Sequence, residues 1–197
     1  YDDFDYFNYS DMSFGTSISS SEKYMLTGAP VEDTIPADIR TGRAFLYKKE
    51  NDDGDLKLLK EFLCPFTQDG LASESQNDNT SFLLSELGNI ITQSDITTSD
   101  NFGCDVEISL NTCAIGSSES SVTATNRSHP TGHVFVYDKN KGGSENWGLI
   151  NILEGEPNSE FGKSISINKN YMVIGSPGKD SNCGGVYVYK KEKRKAS

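Results

Sequence analysis

Histidine is nearly absent from this chain: His129 and His133 are the only two, flanking Pro130-Thr131-Gly132. A Ser-His-acid site needs a positioned imidazole, and a histidine at a loop-to-strand junction reads first as a satisfied or exposed strand residue. No Gly-x-Ser-x-Gly elbow accompanies them. Cations are also short, with 18 Lys and Arg against 29 Asp and Glu. The resulting net charge of -11 argues against nucleic acid or an anionic membrane surface as partner. No run approaches the roughly 20 apolar residues of a membrane helix. No apolar signal segment is present either, and a chain that starts at Tyr1 reads as a mature or trimmed product. Gly162-Lys163-Ser164 echoes a phosphate loop, but Pro157 stands where the first Gly is required and the context is strand to strand. Carboxylates are too abundant for any pair to stand out as acid and base, so no catalytic residue and no cofactor-binding residue is assigned.

Strong helix formers are sparse, whereas Ser, Thr, Gly, Asn, Tyr and Ile are plentiful, which points to strands and loops. Ten Phe and nine Tyr supply the apolar bodies of a core. Their placement is periodic. Phe14, Phe102 and Phe161 each open a Phe-Gly pair, and each is followed 14 positions later by Gly28, Gly116 or Gly175. Further on, Gly42, Gly132 and Gly184 each precede a Tyr by five positions (Tyr47, Tyr137, Tyr189), with Phe45, Phe135 or Tyr187 two residues before that Tyr. A fixed spacing repeated three times indicates a repeat architecture.

Within a unit, alternation from Phe14 to Ser19 gives a first strand and Tyr24–Thr27 a second, stopped by Gly28-Ala29-Pro30. Ala44–Tyr47 gives a third strand. The turn Asn51-Asp52-Asp53-Gly54-Asp55 then leads into a fourth, Leu56–Leu63. The second copy ends in the same way with Trp147–Leu153. Each unit is expected to be a four-stranded antiparallel meander. The boundaries read as an N-terminal strand (1–13), a first blade (14–64), an insertion (65–101), a second blade (102–154), a third blade without its fourth strand (155–189) and a basic tail (190–197). The insertion holds about thirty residues with no counterpart in the second copy, too many for an ordinary connection. Residues 1–13 have the position of a fourth strand, either completing the last unit in a ring or belonging to a preceding one.

The motifs Phe-Gly-x-Ser-Ile-Ser, Gly-Ala/Ser-Pro and Gly-x-Val-Tyr-Val-Tyr resemble the FG-GAP repeat of integrin-alpha-type β-propellers. Phe14-Gly15 with Gly28-Ala29-Pro30, and Phe161-Gly162 with Gly175-Ser176-Pro177, carry the likeness. The second copy departs from it, with Gly116-Ser117-Ser118. The resemblance implies an all-β fold of propeller blades, here three four-stranded FG-GAP-like repeats. Since propellers have ~4–8 blades, the chain is expected to be part of a larger propeller or assembly. It also implies an extracellular setting and loop faces that bind proteins or carbohydrates. Members carry calcium in an acidic loop between the first two strands of a blade. The matching turns here (Ser20–Lys23, Ser109–Thr112, Asn168–Asn170) lack the multiple carboxylates a hard cation needs, so no metal site is carried over. Asp52, Asp53 and Asp55 have suitable residue types, but they lie in a later turn that reads first as a hairpin.

Asn8, Asn79 and Asn126 each open an Asn-x-Ser/Thr triplet in polar surroundings where a glycan could be accepted. Cys64, Cys104, Cys113 and Cys183 form no C-x-x-C, so zinc is not expected, and their three full pairings stay open. Cys113 takes the place of Met25 and Met172, an apolar role. Cys64 and Cys183 fall near strand ends, where an oxidising compartment would permit a bridge. The function expected is a non-catalytic extracellular or cell-surface structural or adhesion module, working through assembly with other proteins or further copies that complete the propeller. The alternatives are a lectin-like or receptor module that binds a glycan or protein, and the non-catalytic part of a larger hydrolase.

Overall fold

A computed structural model describes residues 13–30, 42–50, 55–65, 101–119 and 131–191. They form an all-β structure of three antiparallel sheets. The first takes the order β1 (Ser17–Ser20), β2 (Tyr24–Ala29), β3 (Arg43–Lys49), β4 (Leu56–Leu63). The second takes β5 (Phe102–Ser109), β6 (Thr112–Ser117), β7 (His133–Asp138), β8 (Gly148–Glu154). The third has three strands, β9 (Ser164–Ile167), β10 (Tyr171–Ser176) and β11 (Gly185–Lys190). A single turn, α1 (Lys179–Asn182), joins the last two. Asp180, Ser181 and Asn182 have φ of 51°, 58° and 70°, so α1 is a left-handed reversal, a conformation that Asn and Asp tolerate better than most residues. Periodicity did not announce it.

The spacing in sequence becomes register in the sheets. Gly28 faces Ala44, Gly116 faces Val134 and Gly175 faces Val186, while Met25, Cys113 and Met172 face Tyr47, Tyr137 and Tyr189. The fourth strands share an irregularity as well. The pairing of β3 with β4 slips between Leu46 and Tyr47, and that of β7 with β8 slips at the same place, between Val136 and Tyr137. Each is a bulge that adds one residue to the outer strand and bends it. The first strand of the first unit starts later than alternation suggests, at Ser17. Phe14 instead sits before it with its ring edge-on to Phe45, at 5.5 Å, behind the turn from Ser13 to Thr16.

Alternation along the strands fixes what each face meets. On β7, Phe135 and Tyr137 point to the first sheet, where Leu26, Leu46 and Phe62 receive them. Val134 and Val136 point the other way and pack with Phe161, Ile165 and Ile174 of the third unit. The same division runs through the copies. Aromatic residues of each third strand look back toward the preceding sheet, and aliphatic residues look forward to the next. On the first sheet the backward face holds Ala29, Phe45 and Tyr47 with Phe14, Met25 and Leu56.

Candidate functional site

The contacts that join one sheet to the next are themselves repeated. Gly103 and Gly162, the second residues of their Phe-Gly pairs, have φ of 92° and 90°. That left-handed backbone turns each carbonyl onto the glycine of the preceding sheet. A Cβ on Gly28 would lie 2.0 Å from the Gly103 oxygen, and one on Gly116 would lie 2.2 Å from the Gly162 oxygen. Beside this contact, side chains of one inner strand accept backbone N–H groups of the next. The N–H of Val106 donates to Ser17 Oγ at 3.0 Å and that of Ile108 to Ser19 Oγ at 3.1 Å. One sheet further on, the N–H of Ile165 donates to Asp105 Oδ2 at 2.5 Å. Ser17 and Ser19 in turn donate to Asp105 and Glu107 at 2.6 and 3.0 Å. Partial burial raises the Glu107 carboxyl above its ordinary value, against the lowering effect of the Ser19 hydroxyl.

The third sheet offers all these parts on its outer face, with no described residue set against them. Val186 and Val188, the counterparts of Val134 and Val136, are 68% and 65% exposed. Ser164 and Ser166, the counterparts of Ser17 and Ser19, are exposed too. On the opposite end of the stack, Ile18 is 62% exposed where Val106 and Ile165 are buried. The sheets therefore form a stack with a socket at one end and a matching knob at the other.

One rim of the stack is closed between the first and second sheets by the β7–β8 connection. Trp147 is fully buried there, edge-on to Tyr24 with ring centroids 5.2 Å apart. Two residues earlier, Glu145 accepts from Tyr24 Oη and pairs with Lys48 at 2.5 Å and Lys139 at 3.2 Å. Lys60 donates to the carbonyls of Asn146 and Trp147 at 3.1 and 2.9 Å. The hydrogen bond from Lys48, followed by that from Tyr24, holds the Glu145 carboxyl down to about 2. Glu145 and Trp147 both take positive φ, 56° and 50°. That costly backbone for an aromatic residue is sustained only because the plug is held from several sides.

The residues singled out in the sequence distribute as follows. Asp52, Asp53, Asn8, Asn79, Asn126 and His129 lie outside the described residues, as do the N-terminal strand, most of the insertion and most of the basic tail. Asp55 accepts the N–H of Glu50 through its backbone carbonyl, closing the β3–β4 hairpin. No group of three or more His, Cys, Asp or Glu that could hold a metal occurs among the described residues. Cys64 and Cys113 are buried in the core between the first two sheets, Cys104 donates to the Gly162 carbonyl at 3.5 Å, and Cys183 is exposed after α1. All four are free thiols in the structure. Burial raises the Cys104 thiol above its usual value, which disfavours the reactive thiolate. His133 is buried beside Phe135, and desolvation lowers it to about 3, so the imidazole is neutral. The plug at Glu145–Trp147 went unnoticed in the sequence, although a Trp one residue before a Gly-led strand was the available signal.

Residues 153–189 match the FG-GAP repeat. The matched segment starts at the end of β8 and contains β9, β10, α1 and all of β11 but its last residue. FG-GAP repeats are found in propeller-type, non-catalytic protein-interaction modules, typically extracellular, with integrin-alpha-type propellers as the broader context. Comparison with curated proteins finds no match. Among the described residues no helix is long and apolar enough to cross a membrane.

Proposed function

We propose that this chain is a non-catalytic, extracellular or cell-surface module of propeller blades that acts by assembling with protein surfaces of its own kind. The observation that carries this reading is the outer face of the third sheet, where Val186 and Val188 stand exposed at positions buried in both other sheets. Burying such a side chain contributes about 1.5–3 kcal/mol. Among the described strands β11 forms an edge of its sheet, and such an edge favours a further strand. The occupant is another blade of the same type. It brings an inner strand whose N–H groups reach Ser164 and Ser166, and aromatic residues that cover the two valines. Residues 14–64, 102–154 and 155–189 are then successive blades, and the surface role places glycans on Asn8, Asn79 or Asn126.

Sedimentation and light scattering of the chain test the assembly. Concentration-dependent association that is abolished by Val186→Asp with Val188→Asp, with the thermal midpoint unchanged, supports the reading. A monomer at every concentration, or association indifferent to those changes, overturns it. Expression through a secretory pathway tests the location. A mass that drops on enzymatic removal of N-glycans is expected, and an unmodified chain retained inside the cell would contradict it.

A further inference from the structure

Between the second and third sheets, no described residue closes the rim that Trp147 closes one step earlier. A cleft of about 370 Å³ lies there, with Val136, Leu153, Ile167 and Met172 among its walls and Leu110 and Ile150 exposed at its mouth. This volume falls within the roughly 300–1,000 Å³ of ligand-binding sites. Lys169, Lys190 and Lys191 also line the cleft, and among the described residues no carboxylate does, although the chain as a whole carries -11. Lys191 is the repeat counterpart of Lys139. Its ammonium donates to Thr112 Oγ1 at 2.8 Å, and Thr112 is the counterpart of Tyr24, over whose ring Lys139 lies at 5.0 Å. Asn151 lines the cleft at the position of Lys60, while Asp138, at the position of Lys48, does not line it. The cation that would grip a carboxylate thus comes from the third sheet instead of the preceding one.

We propose that this cleft binds an acidic peptide of a partner protein, inserting an aromatic side chain with a carboxylate two residues before it. Glu145 and Trp147 close the first cleft in this pattern. The aromatic ring would displace water from the apolar walls, and the carboxylate would meet Lys169 and Lys191 at the mouth. This surface is separate from the outer face of the third sheet, and the two can fail independently.

The probe is a fluorescent peptide with the chain's own sequence from Gly143 to Leu149, titrated into the full chain and followed by polarisation. Saturable binding in the micromolar range is expected. Lys169→Glu with Lys191→Glu should weaken it at least about tenfold, a cost of ~1.4 kcal/mol or more. Leu110→Asp with Ile150→Asp, at exposed positions, puts like charge at the mouth and should abolish it, as should Trp147→Ala or Glu145→Lys within the peptide. The Val186→Asp, Val188→Asp variant should bind like the parent, which keeps this test apart from that of assembly. No saturable binding, or binding indifferent to the Asp pair, overturns the proposal. Binding that appears only after removal of residues 192–197 assigns the cleft to the chain's own tail and overturns it equally.

Discussion

The second and third sheets are built from the same repeat, in the same register, yet among the described residues only the second is covered on both faces. Val134 and Val136 are buried against the third unit, whereas Val186 and Val188 of the third sheet face outward. Gly116 receives the Gly162 carbonyl of the following unit, whereas the atoms nearest a Cβ on Gly175 belong to Ser164 of its own sheet, the hydroxyl first. Identical local chemistry thus acquires its energy from the neighbour. An alternating strand states which side chains share a face, and the adjoining sheet decides whether that face stabilises the fold or waits for a partner.

The largest effect should separate the closed rim from the open one. Trp147→Ala removes a fully buried ring and leaves Tyr24 without its edge contact, at a cost of about 3–5 kcal/mol. Tyr171→Ala, at the rim of the open cleft, removes a side chain that is already exposed, and should stay within about 0.5 kcal/mol. Urea unfolding midpoints measure both. Equal losses would erase the distinction between the clefts.

The glycine pair comes next. A methyl on Gly116 would press on backbone that cannot withdraw without separating two sheets, so Gly116→Ala should cost about 1–3 kcal/mol. The methyl of Gly175→Ala meets a serine hydroxyl that can rotate away, and the cost should be near zero. Thermal midpoints of the two variants settle this. A severe loss at Gly175 would mean that the outer face of the third sheet is already occupied in the isolated chain.

Acid should act first on the second sheet. His133 is neutral in the fold, lowered from 6.5 to about 3, while Gly185 holds its place in β11. Between these values the unfolded chain binds the extra proton, so stability is full above pH 6.5 and falls as pH drops toward 3. The slope from one such group is at most about 1.4 kcal/mol per pH unit. Glu145 adds a second loss at lower pH. Its folded value is depressed from 4.5 to about 2, so its contribution is present above 4.5 and disappears as pH falls through 2. His133→Gln should flatten the thermal midpoint between pH 6.5 and 4.5, leaving the steeper fall below it. An unchanged profile in that variant would locate the titration elsewhere.

Much of this architecture was legible in the chain. The interval from Phe14 to Gly28, repeated at Phe102 and Phe161, already held the strand register, because a residue count between fixed partners is a register. The alternation Val186-Tyr187-Val188-Tyr189 likewise held the two faces. Exposure was not legible, since Val134 and Val186 read alike until a neighbouring sheet is set against one of them. The plug was hidden for another reason. Lys139–Trp147 is an irregular connection whose shape depends on left-handed residues such as Glu145 and Trp147, and no periodicity reports those. His133 read as a satisfied or exposed strand residue, and its burial depends on the packing around Phe135, which lies outside its own strand pattern.

The smallest expected difference lies in the inner strands, and it tests the comparison most directly. Ser19 accepts the N–H of Ile108 and donates to Glu107, so it joins the first sheet to the second by both a backbone and a side-chain contact. Ser19→Ala leaves the buried Ile108 N–H without that acceptor and should cost about 0.5–1.5 kcal/mol. It should also raise the Glu107 carboxyl further, because the hydroxyl is the chief influence holding it down against burial. Ser166→Ala removes the same hydroxyl from the counterpart position in the third sheet, where it is exposed, and should change nothing measurable in the isolated chain. Once a partner blade is bound, that indifference should end: Ser166→Ala should then weaken association by a margin similar to the folding cost of Ser19→Ala. Equilibrium unfolding and sedimentation on the two variants give both quantities. A Ser166 effect on folding as large as that of Ser19, or none on association, would break the equivalence between the covered contacts and the open face.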